Sequence, residues 1–244
     1  MTPNIIVEKT SKASKFLFLL FGLLAFVAAT ASAQSTTRER DFQIWSETTI
    51  NVPLVKKKDA KGKEYKDLTL LFIGGLRLGR NKLFPVDERV GIGFDKRINK
   101  YVSITPTYIY KYAEQTPGRA DIEHRVRFDT TLSFAYNELS IKDRNRVEYR
   151  IRHSRPDTVR YRNRITFKHP VKNDGKTIFS PFVADEVFYD FRDGRFFRNE
   201  VAVGIERKFT SNFSTEIFYL NRYNTGGLPR YINAVGVNFK IEID

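Results

Sequence analysis

The chain has no cysteine, one methionine, one tryptophan and three histidines in 244 residues. Without cysteine there is no disulfide, and no cysteine through which a bacterial lipoprotein could carry its lipid. His124, His153 and His169 are too widely spaced to suggest a metal site, so no metal is expected. The glycine-rich stretch from Gly74 to Arg80 is not followed by Lys-Ser/Thr and opens no helix, so it is not a phosphate loop. No cofactor is expected. Beyond Ala33 no apolar run is long enough for a membrane helix, and no apolar stripe recurs at helical spacing. This excludes helical spans and bundles. It does not exclude a barrel, whose strands are short and alternating.

The N-terminus is built differently from the rest. Lys9, Lys12 and Lys15 precede an apolar run from Phe16 to Ala29, and Ala31-Ser32-Ala33 offers the small-x-small pattern of a cleavage site. Residues 1–33 therefore read as a secretory signal peptide cut after Ala33, leaving Gln34 first in a mature domain of residues 34–244. The mature part holds 39 basic and 27 acidic residues, a net +12. The sequence pI is about 9.8, which in a cytoplasmic protein would suggest nucleic acid. An exported chain leaves that compartment, so no nucleic-acid partner is expected. Acidic sugars, lipopolysaccharide phosphates and small anions are the candidate partners, unless the charges face one another inside the protein.

The mature chain alternates with period two. Ile122, His124, Val126, Phe128, Thr130, Leu132, Phe134 and Tyr136 interleave with Glu123, Arg125, Arg127, Asp129, Thr131, Ser133 and Ala135. Asn145, Val147, Tyr149 and Ile151 interleave with Arg144, Arg146, Glu148, Arg150 and Arg152. Val159, Tyr161, Asn163, Ile165 and Phe167 interleave with Arg160, Arg162, Arg164, Thr166 and Lys168. Such strands have one apolar and one charged face. Turn-forming residues divide the chain into eleven runs: 41–54, 67–79, 86–97, 101–112, 122–136, 141–153, 158–169, 179–191, 196–209, 213–224 and 231–243. They are longer than ordinary globular strands of about five or six residues, and they suit a tilted bilayer crossing of about nine to eleven.

The expected fold is therefore all-β: an antiparallel up-and-down transmembrane barrel of ten to twelve strands. Twelve is preferred over eleven because single-chain bacterial barrels have even counts. Period two alone does not say which face looks outward. Export, strand length and tyrosines near strand ends (Tyr101, Tyr108, Tyr110, Tyr112, Tyr136, Tyr189, Tyr219, Tyr223) favour the apolar face outward, with Trp45 as an interface anchor. Glu123, Arg125, Arg127, Asp129, Arg144, Arg146, Glu148, Arg150, Arg152, Arg160, Arg162, Arg164, Glu186, Arg198 and Glu200 would then line the lumen. They could form a salt-bridged plug or an anion-favouring constriction. His153-Ser154 is too weak a signal to assign catalysis, and no catalytic residue is expected. The alternatives are a barrel enzyme acting on envelope lipids and a soluble periplasmic β-barrel binding an acidic ligand.

Short motifs add a resemblance. Asp41-Phe42-Gln43-Ile44-Trp45, Asn145-Arg146-Val147-Glu148-Tyr149-Arg150, Arg160-Tyr161-Arg162-Asn163-Arg164, Asp185-Glu186-Val187-Phe188-Tyr189 and Arg198-Asn199-Glu200 to Gly204 resemble, in this order, the bacterial domain-of-unknown-function family 2490. The resemblance implies a Gram-negative outer-membrane barrel with no assigned activity and no functional residues to transfer. Its partners would be outer-membrane lipid and lipopolysaccharide, with periplasmic chaperones and the barrel-assembly machinery acting during biogenesis. Folded barrels resist dodecyl sulfate until heated. The purified protein should therefore migrate differently on gels before and after boiling, and identical mobility would count against the barrel.

Overall fold

The computed structural model describes residues 39–116 and 118–243. The expected signal peptide, with Ala31, Ala33 and Gln34 at its cleavage point, lies outside the described residues. The strands are β1 (Arg40–Lys58), β2 (Glu64–Gly79), β3 (Phe84–Arg97), β4 (Val102–Thr116), β5 (Arg119–Tyr136), β6 (Leu139–Arg152), β7 (Thr158–Lys168), β8 (Val171–Asn173), β9 (Lys176–Asp190), β10 (Arg195–Lys208), β11 (Phe213–Asn224) and β12 (Tyr231–Glu242). Each of the eleven expected runs is a strand of the wall.

The wall closes on itself. Strands β1 to β7 pair antiparallel in sequence order, β7 pairs with β9, and the meander continues through β10, β11 and β12. The barrel then closes by a parallel pairing of β12 with β1, from Arg40↔Tyr231 to Asn51↔Glu242. β8 stays outside the wall. It forms a small hairpin with the start of β9 through Asp174-Gly175, both at positive φ (48° and 75°), as a two-residue hairpin turn requires.

The wall thus has eleven strands, within the expected range, and the twelfth strand is the outlying β8. The preference for an even wall assumed antiparallel closure throughout. In an up-and-down meander with an odd count, first and last strands run the same way, so closure must be parallel. It follows that β1 begins at one rim and β12 ends at the other. We call these the Arg40 rim and the Glu242 rim. The turns after β2, β4, β6, β9 and β11 lie at the Arg40 rim, and the remainder at the Glu242 rim.

The alternation resolves with the greasy side outward. On β5 and β6, Val126, Phe128 and Val147 are 54%, 50% and 47% exposed, whereas Glu123, Arg125 and Glu148 are 0%, 7% and 1%. A soluble barrel would show the reverse. Water would penalise so continuous an apolar exterior, while lipid tails are its natural surroundings. The fold is a transmembrane β-barrel. Tyr101 and Tyr136 at the Glu242 rim, and Tyr110, Tyr112 and Tyr223 toward the Arg40 rim, are exposed near strand ends, where an aromatic belt meets headgroups.

One sector of the interior is apolar. Trp45, Leu220, Ile232, Ala202 and Ala234 cluster there, with Phe218 against them, on β1, β10, β11 and β12. Trp45 is therefore no interface anchor. It is 6% exposed and points inward with Gln43 and Glu47, because Phe42 and Ile44 take the outward positions of β1. Glycine makes this packing possible. A Cβ on Gly236 would collide with the ring of Phe218. Gly236→Val should destabilise the barrel by about 1–3 kcal/mol through overpacking, read as an earlier urea midpoint in detergent micelles; an unchanged midpoint would contradict this packing.

Candidate functional site

The lumen is the site, and strand register builds it. Directly paired residues face the same side of a sheet. On the inner face the register sets arginine against arginine three times: Arg125↔Arg150, Arg146↔Arg162 and Arg144↔Arg164. Like charges placed directly opposite repel. Carboxylates from the same or an adjoining strand offset this: the first and third pairs each share one, while Arg146 and Arg162 are held by separate carboxylates. Glu123 accepts from both Arg125 and Arg150. Glu148 accepts from Arg127 at 2.9 Å and lies 3.6–3.8 Å from Arg125, Arg150 and Arg162. Glu186 holds Arg162 at 2.7 Å, Arg144 at 2.9 Å and Arg164 at 3.5 Å. Asp129 takes two hydrogen bonds of 2.6 Å from the fork of Arg146, the bidentate geometry guanidinium favours. Glu123, Glu148 and Glu186 are each at most 1% exposed.

Toward the Arg40 rim the packing opens into a cavity of about 620 Å³, lined by eleven basic and five acidic side chains. At its edge Asp121 accepts from Ser154 Oγ at 2.8 Å and from Arg155 at 2.6 Å. Asp87 is flanked by Arg89 and Lys111, both at 2.6 Å, and Asp190 by Arg160 at 2.8 Å. Three inward aromatics carry guanidinium groups. Arg77 and Arg222 lie 3.5 Å and 4.6 Å from the centre of the Trp45 ring. Arg160 and Arg162 stack on Phe197 and Phe188 at 4.3 Å and 4.4 Å. Arg198 lies 5.4 Å from Phe188 and 5.3 Å from Phe197. Such stacking holds a cation at moderate gain without neutralising it.

Two of these arginines differ from the rest. Arg222 pairs with Glu200 at 2.7 Å. Among the described residues Arg77 and Arg198 form no ion pair; Arg198 donates only to the Asn224 amide oxygen, at 2.7 Å. They leave uncompensated positive charge on the cavity wall.

The fifteen residues anticipated for the lumen all lie on strands whose inner face they share. Thirteen of them enter its ion pairs, Arg198 is among the stacked arginines, and Arg152 sits at the rim, donating to the Pro156 carbonyl. Arg77, Asp87, Arg89, Lys111 and Arg222 were missed. Parity could have found the last, since Arg222 alternates with Asn221 and Tyr223. Parity could also have found Lys111 on β4, between Tyr110 and Tyr112, whereas Arg77, Asp87 and Arg89 lie on β2 and β3, where glycines blur the pattern. Gly75 clears space for Arg89, whose Cγ would lie 2.9 Å from a Cβ there. His124 faces outward and bonds Tyr108 Oη at 2.6 Å. Ser154 points to Asp121 instead of a histidine, and among the described residues no cluster of metal-binding side chains occurs.

A family model described as a protein of unknown function (DUF2490) matches residues 42–230. No curated protein matches the chain. Among solved structures, the chain is similar to the NanC porin, with 12% identity, a TM-score of 0.45, and 82% of this chain and 99% of that one covered. It is also similar to the translocator domain of the autotransporter NalP from Neisseria meningitidis, with 9% identity, a TM-score of 0.46, and coverage of 88% and 91%.

The carboxylate hubs should matter more than any one arginine. Glu148→Gln leaves four buried guanidinium groups without their shared anion and should cost about 3 kcal/mol or more. Glu138→Gln, which loses only the exposed pair with Lys172, should barely move the unfolding midpoint. Equal effects of the two substitutions in micelle unfolding would contradict the hub assignment.

Proposed function

Since the chain belongs to the DUF2490 family of proteins of unknown function, its role has to be read from its own lumen, and we propose that it is a Gram-negative outer-membrane barrel forming a narrow, anion-favouring pore. The single observation that carries this is the charge excess on the cavity wall, eleven basic against five acidic side chains, with Arg77 and Arg198 uncompensated. Aqueous anions entering from the Arg40 rim would find a positive potential focused by a low-dielectric wall. Export through a cleaved signal peptide and a final place among outer-membrane lipid and lipopolysaccharide complete the reading. No catalytic step is proposed.

A second reading is favoured by the middle of the lumen. There Glu148 and Glu186 gather arginines from β5, β6 and β7 into a continuous ion-paired layer. Such a layer could serve as a plug that braces the wall and leaves the membrane closed.

Planar-bilayer recording of refolded protein separates the two. The pore reading expects channels whose reversal potential in a potassium chloride gradient indicates chloride preference. Arg77→Gln with Arg198→Gln should move the anion-to-cation permeability ratio toward unity. A closed membrane would support the plug, and cation preference would sink the pore.

A further inference from the structure

Arg77, Arg198 and Arg222 lie close together on the wall of the cavity that opens toward the Arg40 rim. Arg77 and Arg198 have Arg222 and Glu200 as common electrostatic neighbours, and Arg198 also senses Arg77. The register explains why so little negative charge reaches them. Arg77 pairs with Asp87 across β2 and β3, but that carboxylate is taken by Arg89 and Lys111, both at 2.6 Å. Arg198 pairs with Asn224 on one side and Phe188 on the other, and neither carries charge. Arg222 pairs with Glu200, its one ion pair among the described residues. Three guanidinium groups against one carboxylate leave a local charge of +2.

Aromatic rings fix how these groups are presented. The Arg77 guanidinium carbon stands 3.5 Å from the centre of the Trp45 ring, a separation that suits a face-to-face stack. Arg222 lies against the same ring, and Arg198 lies against both Phe188 and Phe197. A stacked guanidinium keeps its charge, and its N–H edge stays free to donate. Side chains held in this way lose less freedom when a ligand arrives. Each fork offers two parallel N–H groups. A carboxylate or phosphate can accept both on separate oxygens, whereas chloride is a single point. The wall therefore reads the shape of an anion as well as its charge. The cavity, about 620 Å³, falls within the range of about 300–1,000 Å³ usual for small-molecule sites.

We propose that Arg77, Arg198 and Arg222 form a binding site for an oxyanion, a phosphate- or carboxylate-bearing solute that enters the lumen from water at the Arg40 rim. The site rests on the cationic cavity wall that carries the pore reading, and it names the class of anion that the wall selects. Arg77 and Arg198 supply the free forks, and Arg222, held by Glu200, adds charge beside them. A phosphate group carries about −1.5 to −2 near pH 7 and so balances the local excess, whereas a carboxylate leaves part of it. Phosphate should therefore bind more tightly than a carboxylate, and both more tightly than chloride.

Trp45 is the sole tryptophan of the chain and lies beside two of the three arginines, so its fluorescence reports the site. Refolded protein in an uncharged detergent is titrated by replacing potassium chloride with potassium phosphate at constant ionic strength. Trp45 emission should change and saturate while chloride is still in excess. Potassium acetate in the same exchange should need a concentration about tenfold higher. Arg198→Gln keeps both arginines on the Trp45 ring and should raise the phosphate midpoint about tenfold. Arg198→Lys, which keeps the charge and loses the fork, should also raise it while the channel still prefers chloride to potassium. Arg207→Gln, at an exposed position near the Glu242 rim, should leave the midpoint unchanged. Heat-dependent gel mobility verifies that each variant is folded. A Trp45 signal indifferent to the exchange of chloride for phosphate, or an unchanged midpoint in folded Arg198→Gln, would overturn the site even in a chloride-selective channel. Saturable phosphate binding by a protein that leaves the bilayer closed, or that prefers cations, would uphold the site and remove only the pore reading.

Discussion

Everything in this barrel depends on a few carboxylates placed between arginines that the register forces face to face. Three directly opposed arginine pairs on β5, β6 and β7 would push the strands apart if left alone. Glu123, Glu148, Glu186 and Asp129 turn that repulsion into a lattice that ties neighbouring strands together. Buried ion pairs are weak evidence for net stability, since desolvation offsets much of the attraction. Their importance here is conditional. Once the arginines are enclosed, removal of a shared anion is far more costly than its presence is beneficial.

The interior is divided by this lattice. One sector, where β12 meets β1, is packed with Trp45, Phe218, Leu220 and Ile232, and glycine clears room for the large ring. The opposite sector is ionic. Trp45 joins the two, apolar on the seam side yet carrying Arg77 and Arg222 near its ring. A parallel closing pair is slightly weaker than an antiparallel one, and the apolar packing behind it supplies cohesion at that place.

The lumen also holds charge that no carboxylate offsets. Arg77 and Arg198 face a cavity of about 620 Å³, where charge is tolerable and can act on ions.

Much of this could be read from residues in line. The period-two alternation of β5, β6 and β7, with turn residues between runs, marked out eleven runs with one charged face, although a twelve-stranded wall was expected from them. Aromatic placement pointed the apolar face outward, because a side chain's direction along a strand follows from parity alone. Three things were decided only by closure. The odd count was one, since whether the first strand meets the last in parallel depends on a contact between residues 40–51 and 231–242. The inward direction of Trp45 was another, because residue type suggested an interface while its neighbours' parity placed it inside. The third was the difference between paired and unpaired arginines: every Arg on an inner face looks alike in the sequence, but only the register across several strands decides which of them finds a carboxylate.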